Sequence, residues 1–397
     1  MFRLIDSPLG PLRLQASPRG LSRVEIAAAG ALPEAVSRVD EGSVGKRSTD
    51  VLDAAQTQLA EAGLLDGDSS LEAVRNVLLS PLAGLDPKAS AQAAPLAQAI
   101  ERGLAEDATF QALPAKFSFL IDAGGRLPLG DVAADIRIEL DGGQARLSIG
   151  GDAAQAAPVA VLPVAKAADA ALDLARAFLR MRADAAARTI RDLLTAVGAK
   201  ALGSAAGLPP VSALAFKGRS TLAKRADIFG RHAGYLGLGA AFGSFDAAQL
   251  RALGELSGKG VRVTPWRALL VPNPSAGFET AIAPLGFVTR ADDPRLAVAA
   301  CPGHPACLSG EVATRPIAEA LAGALALHRH DGIALHVSGC AKGCALSGAA
   351  PFTLVGHEGR FDLVLDGRAR DAAVLSGLNA AQAESAIALA MRQALAS

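Results

Sequence analysis

Apolar and polar positions alternate at the start of the chain. Leu12-Arg-Leu-Gln-Ala16 puts every second side chain on one face, the period of a half-buried strand, and Ser17-Pro-Arg-Gly20 supplies turn residues before a second such run. Strands are expected at Arg3–Ile5, Leu12–Gln15 and Ser22–Ile26, and a helix at Val51–Ala62 after the polar loop 37–50. Beyond residue 65 the pattern repeats. In Ser70-Leu-Glu-Ala-Val-Arg-Asn-Val-Leu-Leu-Ser-Pro-Leu-Ala-Gly-Leu-Asp-Pro87 an apolar run enters a Pro/Gly loop, and a helical stripe follows over 94–104. Arg295-Leu-Ala-Val-Ala-Ala-Cys-Pro-Gly-His-Pro-Ala-Cys307 has the same order, with a helical stripe over 316–328. After each helix a strand runs into a second loop: Lys116-Phe-Ser-Phe-Leu-Ile-Asp-Ala-Gly-Gly125 in the first copy, Gly332-Ile-Ala-Leu-His-Val-Ser-Gly-Cys340 in the second.

Between the copies, residues 166–199 form an alanine-rich helix or helical pair, with Leu172, Leu174, Ala175, Phe178 and Leu179 on one stripe and Arg176, Arg180 and Arg182 elsewhere. Gly203–Pro210 is the best linker. After it, Ser244-Phe-Asp-Ala-Ala-Gln-Leu-Arg-Ala-Leu reads as a capped helix and Val261–Val271 as a strand interrupted at Pro265. Strands Pro351–Val355 and Phe361–Leu365 flank His357-Glu-Gly-Arg360 as a hairpin, and Asn379 caps a last helix. Four units are therefore expected: 1–64, 65–205, 206–282 and 283–397.

Composition narrows the function. The 397 residues carry 39 basic and 39 acidic side chains, a net charge of zero that advertises no nucleic acid or membrane surface as partner. The mean hydropathy of +0.30 comes mostly from alanine and leucine, and no apolar run is long enough to cross a bilayer. With 4% aromatic residues, base-stacking surfaces are not expected. The N-terminus has no apolar signal core, so a soluble cytoplasmic protein is the expectation. No phosphate loop, Ser-His-Asp order or HExxH motif is present, and Gly237-Leu-Gly239-Ala-Ala-Phe-Gly243 does not fit the dinucleotide fingerprint. No nicotinamide or flavin motif is present, so any redox chemistry here would need an external electron donor.

All four cysteines lie in the second copy, spaced C-x5-C (Cys301, Cys307) and C-x3-C (Cys340, Cys344) in Gly/Pro-rich loops. Four thiolates suit one iron-sulfur cluster, and bent loops can aim backbone amides at a negative centre. Two disulfides would need an oxidising compartment. Structural zinc is the stronger rival, although its ligands are usually spaced by two to four residues. His304 and His336 stand near these loops as candidate hydrogen-bond partners of such a centre, with ligation of a second iron as the other reading, whereas His328, His330 and His357 read as helix-end and turn residues.

The cysteine pattern resembles the cluster signature of the sulfite and nitrite reductase superfamily, in which a [4Fe-4S] cluster lies against a tetrapyrrole. Within it, Ala299-Ala-Cys-Pro-Gly-His-Pro-Ala-Cys307 and His336-Val-Ser-Gly-Cys-Ala-Lys-Gly-Cys-Ala345 are similar to the precorrin-3B synthases, oxygen-using enzymes of aerobic cobalamin synthesis. The resemblance implies an α+β fold with a duplicated, pseudo-twofold architecture of ferredoxin-like half-domains (1–64, atypical here, and 206–282) and α/β domains (65–205 without a cluster, 283–397 with one). It implies a [4Fe-4S] cluster on Cys301, Cys307, Cys340 and Cys344, with Cys344 in the place of the cysteine that sulfite reductases share with sirohaem. The implied reaction is a monooxygenation: precorrin-3A is hydroxylated at C20 with dioxygen and closed to a lactone, giving precorrin-3B. Oxygen activation needs a metal, and a mononuclear non-haem iron is a further candidate cofactor. A sirohaem-containing sulfite or nitrite reductase is the alternative enzyme, and an electron-transfer protein or a degenerate enzyme are the alternatives outside catalysis. The arginine motif that the family carries near residues 37–50 is not found.

Candidate substrate ligands are Arg75, Lys116, Arg262 and Arg267. Arg262-Val-Thr-Pro-Trp-Arg267 matches a family stretch, and Arg75 and Lys116 hold the corresponding places in the first copy. Guanidinium pairs bidentately with carboxylate, so such a set can orient a polycarboxylated macrocycle. A solvated basic face is the competing reading, for these residues and for Lys217, Arg219, Lys224 and Arg225.

Overall fold

The computed structural model describes residues 12–17, 20–26, 76–209, 221–257, 260–327 and 332–396. The expected strand Arg3–Ile5 and helix Val51–Ala62, and Arg75, lie outside them. The chain divides into two compact units: one is Arg38–Asp227 with Met1, the other Phe2–Ser37 with Ile228–Ser397.

In the second unit the N-terminal segment contributes an antiparallel hairpin, β1 (Leu12–Ser17) and β2 (Gly20–Ile26). The first unit is built on a five-stranded sheet in the order of the chain: β3 (Val77–Leu79), β4 (Phe119–Asp122), β5 (Ala134–Asp141), β6 (Gln144–Gly151) and β7 (Ala157–Pro163). The first three strands are parallel and the last two antiparallel. Short, continuous apolar runs such as Phe119-Leu-Ile suit β4 because the central parallel strand is buried on both faces. Gly142 and Gly143, with φ of 54° and 82°, make the two-residue turn between β5 and β6.

Helix α1 (Ala93–Glu106) is the crossover between β3 and β4 and buries Ala93, Leu96, Ala97, Ile100 and Leu104, one stripe at helical spacing. Residues 166–199 resolve into a pair, α2 (Ala167–Asp184) and α3 (Ile190–Ala205). The break falls where Thr189 and Asp192 close a capping box, satisfying the first free N–H groups of α3. The predicted stripe on α2 is the buried one: Leu172, Leu174, Ala175 and Phe178 join Phe119, Ile121, Ile136 and Ile138 in one core.

The opposite face of this sheet buries charge beside Leu120. Arg137 is fully buried, donates to the Val132 and Leu129 carbonyls at 2.9 Å each, and pairs with Asp122 at 3.4 Å and Glu139 at 3.6 Å. Asp122 also accepts the N–H groups of Gly124 (3.0 Å) and Leu129 (2.7 Å), and Glu139 pairs with Arg146.

The second unit repeats the sheet: β12 (Val298–Ala300), β13 (Leu335–Ser338) and β14 (Ala350–His357) are parallel, and β15 (Arg360–Gly367) and β16 (Leu375–Leu378) follow antiparallel. Both sheets thus have the same strand order and the same change from parallel to antiparallel, which makes the α+β architecture a duplication. Helices α6 (Thr314–Ala322) and α7 (Ala380–Ala396) supply Ile317, Ala318, Leu321, Ala383, Ile387 and Met391 to a core with Leu335, Val337, Phe352 and Leu354. Asn379 and Gln382 cap α7 reciprocally at 2.9 Å.

A four-stranded antiparallel sheet completes this unit: β8 (Gly230–His232), β9 (Tyr235–Gly239), β10 (Arg262–Val263) and β11 (Ala268–Pro272), ordered β10-β11-β9-β8. It is covered by α4 (Ala247–Ser257) and α5 (Phe278–Ile282) through Leu250, Leu253, Phe278 and Ile282. The cap of α4 is Asp246 with Gln249, each bonding the other's backbone at 2.8 Å. The stretch Val261–Val271 is not one interrupted strand. It is a hairpin that folds back over Thr264–Arg267, because Pro265 offers no N–H to a ladder and Thr264 bonds the Ala268 carbonyl through both its N–H and its hydroxyl.

Removing one member of a buried ion pair leaves its partner charged and unpaired. Arg137→Met is therefore expected to destabilise the first unit by about 3–5 kcal/mol, read as a lowered urea midpoint. An unchanged midpoint would mean that the network contributes nothing net.

Candidate functional site

Strand register makes the two copies comparable residue by residue. Ser80 follows the Leu79–Ile121 pair of β3 and β4, and Cys301 follows the Ala300–Val337 pair of β12 and β13. Each begins its loop with the same backbone bond, Ser80 N–H to the Ile121 carbonyl (3.0 Å) and Cys301 N–H to the Val337 carbonyl (3.2 Å). In each, the loop after the second strand donates an N–H to that side chain: Ala123 to Ser80 Oγ at 2.8 Å, Gly339 to Cys301 Sγ at 3.1 Å. Six residues on, Asp86 stands where the second copy has Cys307, and it accepts the Arg126 N–H at 2.7 Å. The first copy thus ties its two loops with a hydroxyl and a carboxylate, and the second presents thiols in their place.

The cysteine loops pack through glycine. A Cβ on Gly303 (φ 63°) would stand 2.7 Å from Thr314 Oγ1 and the Val312 carbonyl, and one on Gly310 would stand 2.8 Å from the Gly303 carbonyl carbon. At Gly339 it would meet the Cα atoms of Gly303 and Gly310 and Cys301 Sγ at 3.2–3.5 Å. Backbone bonds from Cys307 to Gly303 (2.8 Å), Gly310 to Cys307 (2.9 Å), His304 to Val312 (2.8 Å) and Glu311 to Gly339 (2.8 Å) hold the first loop against the second. Thr314 Oγ1 donates to the Cys301 carbonyl at 2.5 Å and Ser338 Oγ to the Cys340 carbonyl at 2.6 Å.

All four thiols are free: Cys301 is buried, Cys307 and Cys340 half-buried, Cys344 exposed. The Cys344 thiol is pushed up first by burial and then by the charges of Cys340, Cys301 and Cys307, with Lys342 offsetting part. The other three sulfurs are thus close enough to Cys344 to act on its charge. Among the described residues no three His, Cys, Asp or Glu side chains close around a single ion. A zinc ion draws its thiolates to about 2.3 Å, whereas a cubane carries each on a separate iron and so suits a wider set. Four thiols in two loops fit an iron-sulfur cluster, which takes one thiolate on each iron.

Arg267 lies beside this site. It sits at φ 58°, donates an amino group to the Ala345 carbonyl at 2.5 Å, and lies against Gly243, where a Cβ would be 2.9 Å from its Cδ. Burial holds the guanidinium below its ordinary pKa, and does the same for half-buried Arg262 on β10. Lys116 is exposed in a turn before β4 of the first unit. Of the candidate basic residues, the structure thus brings Arg262 and Arg267 onto one hairpin and Arg267 to the cysteine loops.

Sequence reasoning missed Arg315, in the first turn of α6, which donates to the Cys301 carbonyl (3.4 Å) and to Ser244 Oγ (2.7 Å). Its place at the start of the helix that leaves the cysteine loop was the available signal. His304 is exposed. His336 is fully buried on β13 with neither ring nitrogen hydrogen-bonded, and burial together with nearby Arg267 lowers its pKa to about 4. It is neutral near pH 7.

Gly303→Ala combines a left-handed backbone with a backbone overlap and is expected to cost about 1–3 kcal/mol. Gly348→Ala, with nothing within 4 Å of the new Cβ, should leave the thermal midpoint unchanged. Equal midpoints for the two variants would remove the packing role of Gly303.

Comparison with known proteins follows this geometry. A model of the nitrite and sulphite reductase 4Fe-4S domain matches residues 70–202, the copy that contains no cysteine. The solved structure of the Mycobacterium tuberculosis NirA protein aligns over 80% of this chain and 66% of its own, with a TM-score of 0.54 at 19% identity, a likeness of fold. Precorrin-3B synthase from Sinorhizobium sp is 30% identical over 326 residues, 76% of this chain and 68% of that protein. With the duplicated sheets and the cysteine loops described above, this relationship places the chain in the precorrin-3B synthase family, within the nitrite and sulphite reductase superfamily.

Proposed function

We propose that the protein is a precorrin-3B synthase-type monooxygenase, acting with dioxygen and an external electron donor on a polycarboxylated tetrapyrrole, precorrin-3A. The observation that supports this reading is the bond from half-buried Arg267 to the Ala345 carbonyl, which sets a guanidinium suited to carboxylates one residue from Cys344.

In this reading Cys301, Cys307, Cys340 and Cys344 hold a [4Fe-4S] cluster, which supplies electrons one at a time when bound. The Gly339 N–H donated to Cys301 Sγ stabilises the charge on that sulfur. Arg315 and Thr314 fix the carbonyl of the same cysteine, so the loop keeps its shape as charge changes. Arg267 spends one amino group on Ala345 and keeps the rest of its fork for a substrate acetate or propionate. Partial burial strengthens that pairing, since the guanidinium is poorly solvated before the carboxylate arrives. Arg262, on the same hairpin, can take a second carboxylate and so fix the ring's orientation. The net reaction puts one oxygen atom of dioxygen into the C20 hydroxyl, with the other leaving as water on two electrons and two protons. Closure of the ring A acetate to a lactone completes the product.

Replacing any one of the four cysteines by serine should remove most iron and acid-labile sulfide from anaerobically purified protein. Stoichiometric zinc without sulfide would replace the cluster reading. Given precorrin-3A, reductant and 18-O dioxygen, the protein should yield a product heavier by one labelled oxygen. Arg267→Ala should weaken substrate binding by about 2–5 kcal/mol while leaving iron and sulfide content intact. Reduction of sulfite by sirohaem-loaded protein, with no turnover of precorrin-3A, would move the assignment to a sulfite reductase.

A further inference from the structure

The proposed reaction leaves the buried imidazole of His336 unused. It is 0% exposed, and neither Nδ1 nor Nε2 has a hydrogen-bond partner. An unpaired buried donor or acceptor costs about 1–3 kcal/mol, so such a side chain persists where a partner is supplied. Its polar neighbours are already committed. Thr353, its register partner on β14, donates to the Gly367 carbonyl at 2.9 Å, and Ser338, next on the same face of β13, donates to the Cys340 carbonyl at 2.6 Å.

Position narrows the missing partner. Strand β13 runs directly into Cys340, and the ring lies under the loop between Cys340 and Cys344: a Cβ on Gly343 would stand 3.6 Å from His336 Cε1. Glycine at 343, with φ 63°, lets that loop close over the ring. The cysteine-free copy is an internal control. The residue with the same register there, between Leu78 and Arg137, is Leu120, fully buried and apolar. An imidazole therefore occupies this position in the copy with thiols, and a hydrocarbon occupies it in the copy without them.

We propose that His336 is a positioning residue for the iron-sulfur centre, donating a ring N–H to a sulfur of the cluster or of its Cys340–Cys344 thiolates. This rests on the reading of the four cysteines as cluster ligands. A neutral imidazole suits the role, because it donates a hydrogen bond without adding a buried charge beside Arg267. Hydrogen bonds to sulfur stabilise the more negative, reduced centre and raise its potential.

The test uses holoprotein with 15-N-labelled histidine, its iron and acid-labile sulfide measured first. The reduced cluster of the wild type should show a pulsed-EPR coupling to an imidazole nitrogen that is lost in His336→Gln. Redox titration should place His336→Phe at a lower potential than wild type, with His336→Gln, which keeps an N–H donor, between them. If the phenylalanine variant does not assemble a cluster, the wild-type coupling and the glutamine variant decide. A sulfide-containing wild type with no nitrogen coupling, or with coupling retained in His336→Gln, overturns the role of His336 and leaves the cluster assignment standing. Wild type lacking acid-labile sulfide overturns both.

Discussion

A backbone N–H from the loop after the second parallel strand, given to the side chain that ends the first, joins the two loops of each sheet. In one copy the acceptor is Ser80 Oγ and in the other Cys301 Sγ, with donors at the same register position. Parallel strands direct both loops to the same end of the sheet, where such loops form sites for ligands. Something must tie them there, because neither loop carries a ladder of its own.

The copies solve that requirement with different chemistry. The first adds the Asp86 carboxylate on the Arg126 N–H and packs Asp122, Arg137 and Glu139 as ion pairs on the sheet face behind. The second has Thr353 and Ser338 in the places of Arg137 and Asp122, both bonded to local carbonyls, and leaves thiols where the first has oxygen ligands. The family model for the cluster domain matches the copy without cysteines, so that match tracks the scaffold of sheet and helices and not the cluster ligands themselves.

Charge in the second copy is arranged around sulfur. The Cys344 thiol is raised by burial and by the neighbouring cysteines. Arg267 and Lys342 add positive charge at the rim, Lys342 being held by Ser309 at 3.0 Å. His336 stays neutral beneath. Four thiols and the Arg267 guanidinium are thus brought together within one unit.

Much of this was legible in the sequence because it depends on local pattern. The strand-loop-helix repeat, the stripe on α2, the hairpin at His357–Arg360 and the four cysteines follow from hydrophobic period, turn residues and ligand type, which neighbouring residues decide among themselves. The resemblance in the cysteine loops added the family. Other features needed the tertiary structure because they depend on contacts distant in sequence. Pro265 reads as a break in a strand until the Thr264 bonds to Ala268 show a hairpin, and only that hairpin brings Arg267 to Ala345, 78 residues away. The equivalence of Ser80 with Cys301 requires strand register. That His336 is buried with both nitrogens unpaired, while Leu120 fills the same place in the other copy, is a property of the packed sheet, since burial and hydrogen-bond supply are set by residues that meet only when the chain has folded.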